Sequence, residues 1–451
     1  MKGSILAIEK KHLYIPIELK NRELDSQVVL AAKACSKGFR VYVGSHAAIY
    51  RALGSRDICA GIYLDKGTQV ALLTKWIKTK SQYVYILDQE LNPSVEASDY
   101  YQGKNLVSTR FYPGTKDMID GFFCVGPIIS SEAHKYFKNK QMIHDTGWPR
   151  IDLQKRYAST VYFNQIENLK KRHGDFLLFV SDFGLLTPLA DVKSPSRRQN
   201  LLSSDSEEFW KESYQNFEAT IKVLKEWDKN PNVPQIIIRP HITDDLRVWK
   251  RMLRGTKKTK IIHKGDITPW IGACIGVIHR GSTVSIQAKL MNKVVFYLEE
   301  ASTSHNRQFV KRISDHVVSA SKAPLQSLSN SKNLDVDNDI LSEVIFLHKE
   351  DAATRIMQVL DDLAVLKENP IPRLKFILGY LNHRSIRRFA GLIRDEVMYS
   401  MKADSPTPQS KNIPFGLRKS NFQPGLAVEN CGATITTRMV GLNLWELDLK
   451  S

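Results

Sequence analysis

An α/β chain of two βα domains with a C-terminal extension is what this sequence predicts, and three observations predict it. Short apolar runs rich in β-branched and aromatic residues recur from Leu13 to Leu298, separated by stretches of helical periodicity. The segment from Ile275 to Leu298 reads strand, polar turn, helix, strand, which is the unit of a parallel sheet. The rhythm is interrupted once, at Gly147-Trp148-Pro149-Arg150, a turn followed by a charged helical connector to about Lys171. The expected boundaries are therefore residues 1–153, 154–368 and 369–451.

Taken in order, Leu13 to Ile17 is the first strand, with Ser4 to Ile8 as a short partner. The loop from Glu18 to Leu24 crowds charges before a helix beginning near Asp25, which Asp25 or Ser26 can cap and Gly38 ends. Strands follow at Phe39 to Gly44, Gly61 to Leu64, Tyr83 to Leu87, Gly121 to Val125 and Met142 to His144, with a helix from Gln69 to Thr79 among them. The second domain opens on Phe176 to Ser181. A Pro, Ser and Arg-rich insertion from Leu186 to Ser203 comes next, then a capping box at Ser204 to Glu207 and a helix with an aromatic stripe through Phe217 and Trp227. Its remaining strands are Gln235 to Arg239, Thr259 to His263, Cys274 to Ile278 and Val294 to Leu298. A polar loop covers Gln326 to Asn338 and a helix Ala352 to Glu368. Pro370 and Pro372 then precede a basic amphipathic segment, Leu374 to Phe389, suited to an anionic membrane surface, and a largely irregular tail follows from Ala403.

Composition bounds the function. Lys and Arg number 65 against 47 Asp and Glu, a net charge of +18, which points to anionic partners: nucleic acid, an anionic membrane face or phosphorylated substrates. No helix-turn-helix, zinc finger or aromatic-basic sheet motif accompanies that charge, so nucleic acid ranks last. The five cysteines are scattered and never form C-x-x-C, as expected of buried free thiols in a reducing compartment. No window approaches 18 uninterrupted apolar residues, and Met1 to Ser4 runs into a strand-like segment instead of a signal peptide. The expected location is the cytoplasm, peripheral to the inner membrane face.

The chemistry gathers at strand exits. After Val277-Ile278 come His279, Arg280, Gly281, Ser282 and Thr283, where unpaired N–H groups of the next helix, two hydroxyls and two basic side chains suit a phosphate. A second strand, Gln235 to Ile238, runs into Arg239-Pro240-His241, with Asp244, Asp245 and Trp249 starting the helix behind it. An ordinary βα turn that only caps its helix would use the same residue types, so the two exits together carry the reading.

These blocks resemble the bacterial surface carbohydrate biosynthesis proteins of capsule and lipopolysaccharide assembly. The resemblance rests on Tyr14-Ile15-Pro16-Ile17-Glu18 with Arg22-Glu23-Leu24-Asp25, Gly147-Trp148-Pro149-Arg150 with Asp152, Arg239-Pro240-His241 with Trp249, and His279-Arg280-Gly281-Ser282-Thr283, in the family's order over residues 12–300. The chain is more distantly similar to capsule Kdo transferases and to the polyol phosphate transferases of wall teichoic acid assembly. It departs from the family pattern at Ile242, in the loop Asp182-Phe183-Gly184, and after about residue 330.

What the resemblance implies is a GT-B architecture, two Rossmann-like domains facing across a cleft. A nucleotide-sugar donor would then lie on the C-terminal side, against Arg239, His241, His279, Arg280, Gly281, Ser282 and Thr283, with a glycan or lipid-linked acceptor on the N-terminal side. No D-x-D follows a strand, so no metal or other cofactor is expected. Candidates for a catalytic carboxylate are Glu18, Glu23, Asp25, Asp88 and Glu90, acting as general base or as nucleophile. Glu90 leads because it follows a buried strand with no evident partner, whereas Asp25 has a role as helix cap. Arg22 or Glu23 could instead pin the loop by a salt bridge. A glycosyltransferase is the first reading; a nucleotide-sugar 2-epimerase and a non-catalytic scaffold of an assembly complex are the alternatives.

Overall fold

A computed structural model describes residues 10–54, 60–91, 105–183, 206–241, 244–263, 265–299, 308–324, 338–363, 422–423, 426, 435–441 and 444–449. The expected strand Ser4 to Ile8, the insertion from Leu186, Ser204 of the capping box, most of the polar loop, the basic segment Leu374 to Phe389, Cys59 and Cys431 lie outside the described residues.

The first sheet is built on β1 (His12–Ile17), β2 (Arg40–Ser45), β3 (Gly61–Asp65), β4 (Gln82–Leu87), β5 (Gly121–Phe123) and β6 (Ile143–His144), all paired in parallel. Every residue of β1 is buried, because helices cover both faces of such a sheet and the strand must be apolar on both sides. The second sheet holds β7 (Phe176–Val180), β8 (Gln235–Arg239), β9 (Thr259–Ile261), β10 (Gly276–His279), β11 (Val295–Leu298) and β12 (His316–Val318), again parallel, in the order β12-β11-β10-β7-β8-β9. Two Rossmann-like units are thus present, and the expected GT-B-like class is what the chain folds into.

Side-chain alternation along β7 divides the core. Phe176, Leu178 and Val180 cluster with residues of the first domain, while Leu177 and Phe179 join Ile236, Ile238, Phe217 and Trp249 on the opposite face. The aromatic stripe of the helix Ser206–Lys229 is packed core, as its spacing predicts.

Two expectations about the ends of elements are corrected. The helix expected near Asp25 spans Lys20–Ser36, and its N-cap Leu19 offers no side-chain bond. The Glu23 carboxylate reaches back instead, accepting the backbone N–H of Glu18 at 2.7 Å, so Asp25 is a turn inside the helix and not its cap.

The tail is not wholly irregular, because β13 (Ile435–Gly441) and β14 (Leu444–Leu449) form a hairpin whose second strand pairs antiparallel with β2. The first sheet then has eight strands in the order β13-β14-β2-β1-β3-β4-β5-β6. Asp448 anchors the hairpin to Lys10 at 2.6 Å and Arg40 at 3.0 Å, and Trp445 lies against Phe422.

The chain also returns to the first domain before residue 368, where the boundary was expected. Phe346 donates its N–H to Val125 O at 3.0 Å, and Asp152 accepts the N–H of Ala352 at 2.8 Å. The helix Ala352–Asp361, shorter than expected, packs on Lys20–Ser36.

Candidate active site in the interdomain cleft

Arg150 ties the two domains together, bonding to Arg22 on one side and to Asp266 and Gln287 on the other. This arginine is 2% exposed. Its Nη1 donates to Arg22 O at 2.6 Å and to Asp266 at 3.2 Å, and its Nη2 to Gln287 at 3.4 Å. Gln154 adds a bond to Gln287 at 2.6 Å. Gly147 makes this turn with φ of +79°, a left-handed conformation that glycine adopts without strain, and Pro149 opens the short helix that carries Arg150.

On the N-terminal wall the expected carboxylates are all present, and every one is engaged. Glu90 pairs with Arg22 at 2.7 Å, so the loop after β4 is not without a partner. Burial raises the Glu90 pKa, but Arg22, Arg110 and Lys66 outweigh it and hold the carboxyl below the usual glutamate range. Asp88 is fully buried against Arg110 Nε at 2.8 Å. Its other oxygen has no hydrogen-bond partner among the described residues, and burial outweighs Arg110 to push its pKa up. Lys66 joins Glu18 and Glu23, the latter at 3.0 Å, so Glu23 and Arg22 both pin this wall. Asp25 accepts the Tyr162 hydroxyl across the junction. Burial and the nearby Asp266 push it up to about 6, against the pull of Tyr162 and Arg150.

On the C-terminal wall Asp244 is the organiser. It accepts Ser181 Oγ at 2.7 Å, Trp249 Nε1 at 2.8 Å and the backbone N–H of His241 at 2.9 Å. Asp245 caps the helix Leu246–Met252. His241 is exposed in the cleft. Desolvation of the imidazole, with Arg22 on the opposite wall, lowers its pKa, while Asp244, Asp182 and Glu90 pull the other way.

Arg239 is buried. It stacks over Trp270 and donates to Ile262 O at 3.1 Å and Gly265 O at 2.6 Å, so it shapes the loop behind the site. Burial brings its pKa down to about 10.

His279 and Arg280 do not stand open in the cleft. His279 is fully buried, bonded to Ser314 Oγ at 3.0 Å and edge-on to Tyr297. Arg280 is 2% exposed, with its guanidinium over the Phe183 ring. The turn Gly281, Ser282 and Thr283 is half-buried, and Ser282 Oγ accepts the N–H of Val284 at 3.3 Å.

Sequence reading missed several groups: His46 with Asp65, Lys66, Arg110, and the joint formed by Arg150, Asp266 and Gln287. His46, Asp65 and Lys66 follow β2 and β3, so the strand-exit rule that selected Glu90 and His241 points to them equally.

No protein-family model and no curated protein sequence matches the chain. Among solved structures it is similar to a Methanocaldococcus jannaschii UDP-GlcNAc 2-epimerase in complex with UDP-GlcNAc and UDP. The identity is 12% over 78% of this chain and 99% of that one, with a TM-score of 0.47. It is similar also to the wall teichoic acid polymerase TagF, at 10% identity over 78% of this chain and 88% of that one, with a TM-score of 0.47. A third is S. aureus MnaA with UDP, at 13% identity over 77% and 95% and a TM-score of 0.43. At these identities and scores no residue role carries over.

Proposed function

We propose that this chain is a metal-independent glycosyltransferase of surface polysaccharide assembly, moving a sugar from a nucleotide-sugar to a glycan or lipid-linked acceptor. The observation that carries the reading is the pairing of walls. His241 and the turn Gly281 to Thr283 lie on one side and the Glu90–Arg22 pair on the other, close enough that Arg22 and Glu90 bear on the His241 charge. The donor's phosphates would lie at the half-buried turn, with Arg280 behind it supplying fixed positive charge as the leaving phosphate departs. Glu90, held as a carboxylate, would face the sugar and either stabilise positive charge at its anomeric carbon or attack it. This placement puts stabilisation of the sugar's positive charge and of the leaving phosphate on opposite domains, which suits a group transfer between two bound substrates.

The test is a thermal-shift panel of CMP, UDP, GDP and CDP, followed by sugar transfer with the nucleotide that stabilises. Arg280→Ala should weaken binding of that nucleotide, because it removes the fixed positive charge behind the turn. A melting curve without nucleotide separates the fold cost of removing a buried guanidinium. Stabilisation by none of the four removes the transferase reading and favours a scaffold. Conversion of the nucleotide-sugar alone to its epimer, with no acceptor, identifies a 2-epimerase. Among the described residues no helix is long and apolar enough to cross a membrane. Attachment through Leu374 to Phe389 is tested in the full chain by Arg384→Gln, Arg387→Gln and Arg388→Gln together, which should reduce recovery on anionic liposomes at low salt.

A further inference from the structure

β2 and β3 flank β1 on its two sides, so a contact between their ends spans the exit of β1, where Glu18 leaves the sheet. Such a contact exists. His46, the first residue of the helix His46–Gly54, places Nε2 2.9 Å from Asp65 Oδ2 at the end of β3. Asp65 is 4% exposed and accepts from every side: Tyr63 OH at 2.8 Å and Gln69 Nε2 at 3.4 Å on the same oxygen, and the Lys66 N–H at 2.7 Å on the other.

An ionised carboxylate has no proton to give, so the hydrogen between the two must belong to His46 Nε2. The neutral ring then carries its lone pair on Nδ1. The His46 side chain is 19% exposed, and Nδ1 has no hydrogen-bond partner among the described residues. The groups around it are Asp65, Tyr63, Tyr50, Gln69, Lys66, Glu18 and Glu23. Burial lowers the imidazole pKa, but Asp65, then Glu18 and Glu23, outweigh it and the net direction is up.

Glu90 is poorly suited to take a proton, since Arg22 holds it ionised and weakly basic. Asp88 is closed off from solvent. The exit of β1 lies two strands from that of β4, about 10 Å at the usual strand spacing, a gap that a sugar residue fills.

We infer that His46 is the general base for the acceptor hydroxyl, with Asp65 as the positioning residue that fixes its tautomer; this rests on the transferase reading above. In the step, the acceptor O–H bond breaks and its proton passes to His46 Nδ1. The oxygen's electron pair forms the new bond to the anomeric carbon, and the anomeric C–O bond breaks with its electrons leaving on the nucleotide phosphate. Asp65 then faces an imidazolium, which it stabilises.

The experiment uses the full chain. His46→Gln keeps an N–H for Asp65 but has no titratable lone pair. It should lower transfer about 100-fold or more while nucleotide affinity stays within about threefold. The wild-type rate should rise with pH through an inflection above the usual histidine range, and that inflection should vanish in His46→Gln. Asp65→Asn can donate to Nε2 and so reverse the tautomer, and it should lower kcat more than it changes KM.

Nitrogen–proton NMR of the histidine rings, with His46 assigned by its loss in His46→Gln, should show the neutral ring protonated on Nε2. An Nδ1–H tautomer overturns the inference whatever the activity. So does a His46→Gln enzyme with wild-type rate and pH profile beside an active wild type. A wild-type chain that binds no nucleotide overturns the transferase reading, and this inference with it.

Discussion

Glu90 and Asp25 are both carboxylates on the N-terminal wall, yet their surroundings drive them in opposite directions. Arg22, at 2.7 Å, keeps Glu90 ionised. Glu90→Gln should therefore abolish transfer while nucleotide affinity is unchanged, because the amide keeps the shape but can neither carry the charge nor attack. Arg22→Gln removes the positive charge paired with Glu90, so the Glu90 inflection in kcat/KM should move to higher pH; an inflection that stays in place would detach Arg22 from this role. As a stability term the Glu90 pair is present above the unfolded carboxyl pKa and lost as pH falls through the lower folded value.

Asp25 behaves the other way. Its folded pKa is about 6 against an ordinary 3.8, so stability is lost as pH rises between those values and the deficit persists above 6. Asp25→Asn, which can still accept from Tyr162, should raise Tm at pH 7.5, and the gain should shrink toward zero as pH is lowered to about 4. An equal gain at both pH values would show that ionisation is not the cause.

Among elements, the return segment around Val344 to Phe346 is held by a close approach that only glycine permits. A Cβ at Gly126 would lie 1.9 Å from Val344 O and 2.4 Å from Val344 C, both backbone atoms that cannot swing aside. Gly126→Ala should therefore push this segment off the first domain and strain the Phe346–Val125 bond, at a cost of about 1–3 kcal/mol measured by denaturant unfolding. A neutral result would mean that the segment docks only loosely.

For the whole molecule, the chain end belongs to the first sheet. A chain ending after residue 434 loses β13 and β14, bares the edge of β2, and leaves Arg40 and Lys10 without Asp448. It should melt lower than the full chain and aggregate more readily, since an uncovered strand edge templates pairing between molecules. Unchanged melting and solubility would show that the hairpin adds nothing to the first domain. Membrane attachment is accordingly tested by charge neutralisation within the full chain, because truncation would confound it with this loss.

The sequence by itself determined the two βα units, the bounds of β1 to β11 within a residue or two though neither β12 nor the final hairpin, and the exits at Glu18, Asp88, Arg239, His241 and Arg280. Periodicity and turn chemistry act over a few residues, so local pattern is enough to reveal them. Tertiary structure decided what each exit residue does. Arg239 became a loop brace and His279 a buried partner of Ser314, and Glu90 acquired Arg22 from 68 residues away. The pairing of His46 with Asp65, the return of Ala352–Asp361 and the hairpin on β2 likewise depend on contacts between distant segments. Partners of this kind are chosen by how strands are ordered in a sheet and how two domains meet, and no spacing along the chain encodes that order.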